Sequence, residues 1–150
     1  MNYVLDTNIL LFYLREPGTK AFIEERYNPF EASNSPIISI VTVGEIKSIA
    51  RQNHWGGKRL EAVQELLRKC IVTDIKYEPI LEKYAEIDAF SQGKIAEQPL
   101  RMSARNMGKN DLWIAATAAV SNAQLLTSDY DFDHLHGKYF EVVKIERMKS

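Results

Sequence analysis

Four carboxylates stand out by type and place: Asp6 after Tyr3-Val4-Leu5, Glu45 after the run 37–43, Asp111 heading an apolar stretch, and Asp129 after Leu125-Leu126. Each follows a strand-like run or falls in the first turn of a helix-like one. In an open α/β sheet, the carboxyl ends of strands and the adjacent helix starts share one edge, where ligands bind. Acids gathered there repel: an ionised pair 4 Å apart costs about 4 kcal/mol at an effective dielectric of 20. Such a cluster persists only if protons or cations neutralise it. Hard divalent ions such as Mg²⁺ prefer oxygen ligands, and a metal pair holding a water is suited to cutting phosphodiesters.

Each acid also has a plainer reading. Asp6 is a good helix cap, although Thr7 or Asn8 would cap as well and leave Asp6 facing the sheet edge. Thr42-Val43-Gly44-Glu45 reads as a capping box, with the Glu returning to the Thr backbone N–H. Asp111 is favoured in a first turn by the helix dipole. Asn110 already supplies a cap there, and an acid on so apolar a helix needs a partner. Asp129, Asp131 and Asp133 alternate after a strand and fit a turn. Asp129 is nearest the strand end, Asp131 is an auxiliary, and Asp133 reads as a cap or a solvated residue.

The elements that must position these acids follow from periodicity. Apolar runs alternate with helix-period segments, which points to βα units and a parallel sheet. Strands are expected over 3–6, 37–41, 70–73, 124–127 and 140–145. Helices are expected over 9–15, closed by Pro17-Gly18, and over 20–27, 42–52, 57–69, 78–90 and 111–122. Pro29 with 33–36 makes a loop, and 91–110 is irregular. The alanines of 111–120 let that helix lie close to the sheet and carry Asp111 toward Asp6. The expected fold is α/β, a three-layer single domain over 1–150 with a mostly parallel sheet of about five strands.

Composition removes several classes. A formal net charge of -1 excludes a globally basic nucleic-acid coat while allowing a local basic groove. The single cysteine, Cys70, leaves no internal disulfide, fits a reducing compartment, and reads as a buried thiol opening Cys70-Ile71-Val72. A charged residue as early as position 6 argues against a signal peptide. No apolar run reaches 18 residues, which argues against a membrane span. The expected location is the cytoplasm.

The acid-bearing segments resemble those of the PIN-domain ribonucleases, specifically the VapC-like toxins of toxin–antitoxin pairs. Val4-Leu5-Asp6-Thr7-Asn8 is similar to that family's first acid block, and the stretch from Ile38 to Ile46 to its strand-to-helix block. Asn110-Asp111-Leu112-Trp113-Ile114-Ala115-Ala116-Thr117-Ala118 is similar to the third, and Leu125-Leu126-Thr127-Ser128-Asp129-Tyr130-Asp131-Phe132 to the fourth. Each block is weak alone; all in order are specific. The resemblance implies a parallel sheet with helices on both sides and Mg²⁺ or Mn²⁺ held by Asp6, Glu45, Asp111 and Asp129. It also implies cleavage of RNA, homodimerisation, and inhibition by an antitoxin reaching into the pocket. Thr7, Thr127 or Ser128, and Asp131 would support ligands or waters around that set.

Substrate contact is expected from Arg101, Arg105 and Lys109, with Lys94, beside the third acid; a solvated loop is the plainer account. Arg51, Lys58 and Arg59 form a second basic group around Trp55, which reads as a buried anchor or as a base-stacking ring. His54, His134 and His136 lie in polar loop contexts, so a histidine-based ribonuclease is the poorer account. A haloacid-dehalogenase-like phosphatase wants an Asp where Asn8 stands, and a response-regulator receiver wants paired N-terminal acids. The remaining alternatives are a PIN-like binding module without turnover and a solitary nuclease of RNA processing.

Overall fold

The computed structural model describes residues 1–95, 97–100 and 102–148. The elements in chain order are β1 (Asn2–Leu5), α1 (Thr7–Arg15), α2 (Pro17–Arg26), β2 (Ser35–Ser39), α3 (Ile40–Gln52), α4 (Gly57–Arg68), β3 (Ile71–Thr73), α5 (Glu78–Ser91), α6 (Lys109–Val120), β4 (Gln124–Thr127), a 3₁₀ helix (Tyr130–Leu135) and β5 (Val142–Lys144). The strands form one five-stranded sheet in the order β3-β2-β1-β4-β5, and every pairing is parallel. No helix among the described residues is long and apolar enough to cross a membrane.

The layering follows from the handedness of parallel crossovers. From β1 the chain steps to β2 and β3 in one direction, then returns past β1 to β4 and β5. Right-handed connections in opposite directions put helices on opposite faces. Strand residues divide accordingly: Tyr3, Leu5, Ile38 and Leu126 join the core with Ile9, Leu10, Ile23, Ile46 and Val63 from α1 to α4. Val4, Ile37 and Leu125 join the core with Ile87, Phe90, Leu112, Ala115 and Ala118 from α5 and α6, and with Phe132 and Leu135. Both faces of the central strands β2, β1 and β4 are covered, which is why they are near-continuously apolar, whereas Ile71 and Val72 of the edge strand β3 are exposed.

Several boundaries differ from the sequence reading, each for a local reason. Pro17 does not merely close α1; it occupies the start of α2, where its missing N–H and fixed φ suit a first helical turn. β2 begins at Ser35 and ends at Ser39, two residues earlier than expected at either end. The Ser39 hydroxyl accepts from the Val41 N–H at 3.2 Å and starts α3 there. Thr42 is therefore inside α3, its buried hydroxyl unpartnered, and the capping box does not form. Gly108, not Asn110, is the cap residue of α6. Residues 92–108 carry no helix or strand among those described, in line with the irregularity expected there.

Candidate active site

The turn-back of strand order falls between β1 and β4, and crevices at such points lie outside the carboxyl ends of the strands. β1 ends directly into Asp6, and β4 ends two residues before Asp129. Asp6 is itself the cap of α1: its Oδ1 accepts from the Thr7 N–H at 2.7 Å. Capping and a place in the cluster are thus not alternatives for this residue. Its other oxygen, Oδ2, accepts from the Thr127 hydroxyl at 2.7 Å, and the Thr127 oxygen accepts in turn from the Asp129 N–H at 3.0 Å. One fully buried hydroxyl therefore joins the two strand ends.

The remaining acids are fixed in the same way. Asp129 caps the 3₁₀ helix, its Oδ1 accepting from the Asp131 N–H at 2.9 Å. Glu45, one turn into α3, accepts from the Thr7 hydroxyl at 2.8 Å. Asp111 stands in the first turn of α6, whose Ala115, Ala116 and Ala118 are fully buried against the sheet. Oxygens of Asp111, Asp129 and Asp131 lie within 4.8 Å of one another. Asp133 points elsewhere and pairs with Lys144 at 2.6 Å. Ser128 is half-buried beside Asp129, and no hydrogen bond of its side chain is formed among the described residues.

Electrostatics bind the group into one unit. Burial pushes the Asp6 carboxyl up to about 6 against the hydrogen bonds from Thr127 and Thr7, and the charges of Asp129 and Glu45 add to the rise. Asp111 is pushed up to about 7, first by burial and then by Asp6, Asp129, Asp131 and Glu45. None of these acids forms an ion pair with a Lys, Arg or His among the described residues. A set of hard oxygen donors that raises its own affinity for protons, with no ion-paired cation among the described residues to offset it, fits a divalent metal ion.

The basic residues expected to meet substrate are dispersed. Lys109 is exposed at the first position of α6, two residues from Asp111. Arg105 is half-buried, its backbone N–H donating to the Ser91 carbonyl at 2.7 Å. Its charge, after burial, lowers the pKa of His134. Arg101 lies outside the described residues. Trp55 is buried between Arg15 and Arg59, whose guanidinium carbons lie 5.2 and 5.3 Å from the ring centroid, so it is an anchor. The Cys70 thiol is half-buried, near the Leu66 carbonyl, and pushed up by burial to about 12, which makes it inert.

His134 departs from the polar loop context expected of it. It is buried, and its Nε2 lies 2.7 Å from the Ser91 hydroxyl, which also contacts the Met107 sulfur at 3.4 Å. These contacts fasten the acid-bearing 3₁₀ helix to the end of α5 and, through Met107, to the segment leading into α6. No periodicity signalled it, because a histidine between Asp133 and Leu135 reads equally well as exposed. Tyr130 and Asn8, both exposed and both flanking the acids, were likewise invisible as neighbours of a site.

A family model described as PIN domain matches residues 3–138 of the chain. The chain is 30% identical over 127 residues to Ribonuclease VapC1 of Haemophilus influenzae strain R2866, covering 85% of this chain and 86% of the relative. Among solved structures, VapBC2 from Rickettsia felis, bound to a promoter DNA fragment, is similar with a TM-score of 0.73 at 20% identity, covering 97% of this chain and 100% of that one. VapBC-1 from nontypeable Haemophilus influenzae is similar with a TM-score of 0.68 at 23% identity, covering 96% and 98%.

Proposed function

The chain belongs to the PIN domain family, in company with the VapC ribonucleases, and on that footing we propose that it is a divalent-metal-dependent endoribonuclease, the toxin of a toxin–antitoxin pair. The observation that carries this reading is the convergence of carboxylates from the end of β1, α3, α6 and the 3₁₀ turn, without a cationic partner among the described residues, on the point where strand order reverses. Asp6, Glu45, Asp111 and Asp129 would hold the ion, with Asp131, within 4.8 Å of Asp111 and Asp129, as an auxiliary; Mg²⁺ and Mn²⁺ suit these oxygens. Such an ion supplies a nucleophilic water at neutral pH and offsets charge at the phosphate.

The protein's own part is to hold these groups in place before substrate arrives. The Thr127 hydroxyl keeps Asp6 and the Asp129 backbone in fixed relation, and the Thr7 hydroxyl orients Glu45. Burial and mutual repulsion raise Asp6 to about 6 and Asp111 to about 7, so an entering cation competes with protons at these two carboxyls more than it would at free ones. Lys109, with Arg101 and Arg105 as further candidates, would meet the RNA backbone. Solved relatives are VapB–VapC complexes, which supports a small antitoxin partner; a homodimer acting in the cytoplasm completes the reading.

The test is cleavage of RNA with Mn²⁺ or Mg²⁺, with and without chelator, by the wild type and by Asp6→Ala and Asp111→Ala. Cleavage is expected to need the metal and to fall to background in both variants. Undiminished metal-dependent cleavage by folded Asp111→Ala would overturn the assignment. A protein that binds RNA and never cuts it would instead be a binding module.

A further inference from the structure

Beside the acid cluster lies a depression of about 410 Å³, lined by Asn8, Phe12, Ser128, Tyr130, Lys144 and Arg147 among others. It adjoins the reacting edge directly, since Asn8 follows Asp6 by two positions and Ser128 and Tyr130 flank Asp129. Tyr130 is 64% exposed, whereas Phe132 of the same 3₁₀ turn is fully buried. The tyrosine ring is nevertheless braced. Lys144 Nζ sits 3.8 Å from its centroid and is itself held by Asp133 at 2.6 Å, while Asp129 caps the backbone beneath.

The charges of this depression select its occupant. Its cations are engaged, Lys144 with Asp133 and Arg147 with Glu16 at 2.6 Å each, and Glu16 and Glu146 of the same lining add negative charge. That leaves little free positive charge for a phosphate. It leaves a fixed aromatic face, with exposed Asn8 and half-buried Ser128 to hydrogen-bond a sugar or a base edge. A neutral planar group fits best. We propose that this depression is a nucleotide subsite, in which Tyr130 stacks on an unpaired base adjacent to the phosphate being cut. The inference rests on the ribonuclease reading and deepens it, because a base held in a duplex cannot reach such a platform: the substrate is single-stranded at that position.

The experiment compares wild type, Tyr130→Ala, Tyr130→Phe and Tyr130→Trp on single-stranded oligoribonucleotides, some with one abasic residue at each position around the cut. Tyr130→Ala is expected to lose roughly 10- to 100-fold in kcat/KM, mainly through KM, the weight of one base–aromatic stack. Phe and Trp should restore most of it, and the rise in Tm on adding Mn²⁺ should be unchanged in all of them. One abasic position should cost the wild type the same factor and cost Tyr130→Ala nothing further. Cleavage by Tyr130→Ala within twofold of wild type, or Tyr130→Phe as defective as Tyr130→Ala, overturns the subsite and leaves the ribonuclease reading standing. If the wild type cuts no RNA, fluorescence anisotropy of the same oligonucleotides on Asp111→Asn protein decides. Binding that requires an aromatic ring at 130 upholds the subsite without the nuclease, and no such binding overturns both.

Discussion

Replacing Asp111 with Asn removes one negative charge from the cluster and leaves side-chain volume almost unchanged. The Asp111 oxygen lies within 4.8 Å of oxygens from Asp129 and Asp131. At that spacing an ionised pair costs about 1 kcal/mol in the dielectric of water and about 3.5 kcal/mol at an effective dielectric of 20. Asp111 is half-buried, so solvent screening places the relief in the lower part of that range, about 1–2 kcal/mol. For a chain of this length each kcal/mol moves Tm by about 2–4 °C. In excess chelator at pH 8, Asp111→Asn is therefore expected to melt roughly 2–8 °C above wild type, measured by scanning fluorimetry or calorimetry. At pH 5 the wild-type carboxyl, whose pKa is about 7, already carries its proton, and the difference should largely vanish. Saturating Mn²⁺ should raise the wild type more than the variant, and RNA cleavage by the variant should fall to background. A chelated variant that melts at or below the wild type at pH 8 refutes the account, since the acids would then not be destabilising one another.

The same carboxyls set a pH dependence. Their unfolded values lie near 3.8, and their folded values rise to about 6 for Asp6 and about 7 for Asp111. The folded state therefore binds more protons between them; this contribution to stability is whole below about pH 4 and is lost as pH climbs through 6 and 7. Urea midpoints across that window should show the fall in chelator and a flatter profile in Mn²⁺, while the apparent Mn²⁺ affinity rises over the same span. Thr127→Val, which deletes the hydroxyl shared by Asp6 and the Asp129 N–H, should cost about 1.5–3 kcal/mol by urea unfolding, and Thr127→Ser should recover most of it. Phe132→Ala, at a fully buried ring under the acid-bearing turn, should cost about 3–5 kcal/mol. Ser91→Ala removes the partner of His134 and should speed tryptic cutting after Lys94 or Arg105; unchanged cutting would mean that this contact does not hold the segment.

Element order, the two-faced apolar strands and the co-location of the acids were all legible in the chain. β4 matches residue for residue, because Leu125 and Leu126 have nowhere to go but the two opposite cores. What could not be read were choices among chemically equivalent neighbours. Ser39 and Thr42 cap equally well in isolation, and the end of β2 against β1 and β3 decides for Ser39. Likewise Asn110 is a better cap by type than Gly108, yet α6 begins where its alanine face meets the sheet. Asp129, Asp131 and Asp133 fit a turn by type, and they form one: Asp129 caps a 3₁₀ helix that carries the other two. With three residues per turn, that winding sends Asp131 toward Asp111 and Asp133 toward Lys144. Arg105 is half-buried, its backbone tied to Ser91 and its charge felt by His134, a tertiary placement that leaves no trace in local spacing.

The strand that follows α6 has a temporal consequence. β4 and the turn carrying Asp129 and Asp131 come last but for β5, and Asp6 waits more than a hundred positions for the Thr127 hydroxyl that orients it. A polypeptide still emerging from the ribosome cannot assemble the acidic wall until the residues through Asp131 have been made. Any chemistry that needs all of these carboxylates must therefore wait until Asp129 and Asp131 reach Asp111 and the Thr127 hydroxyl reaches Asp6.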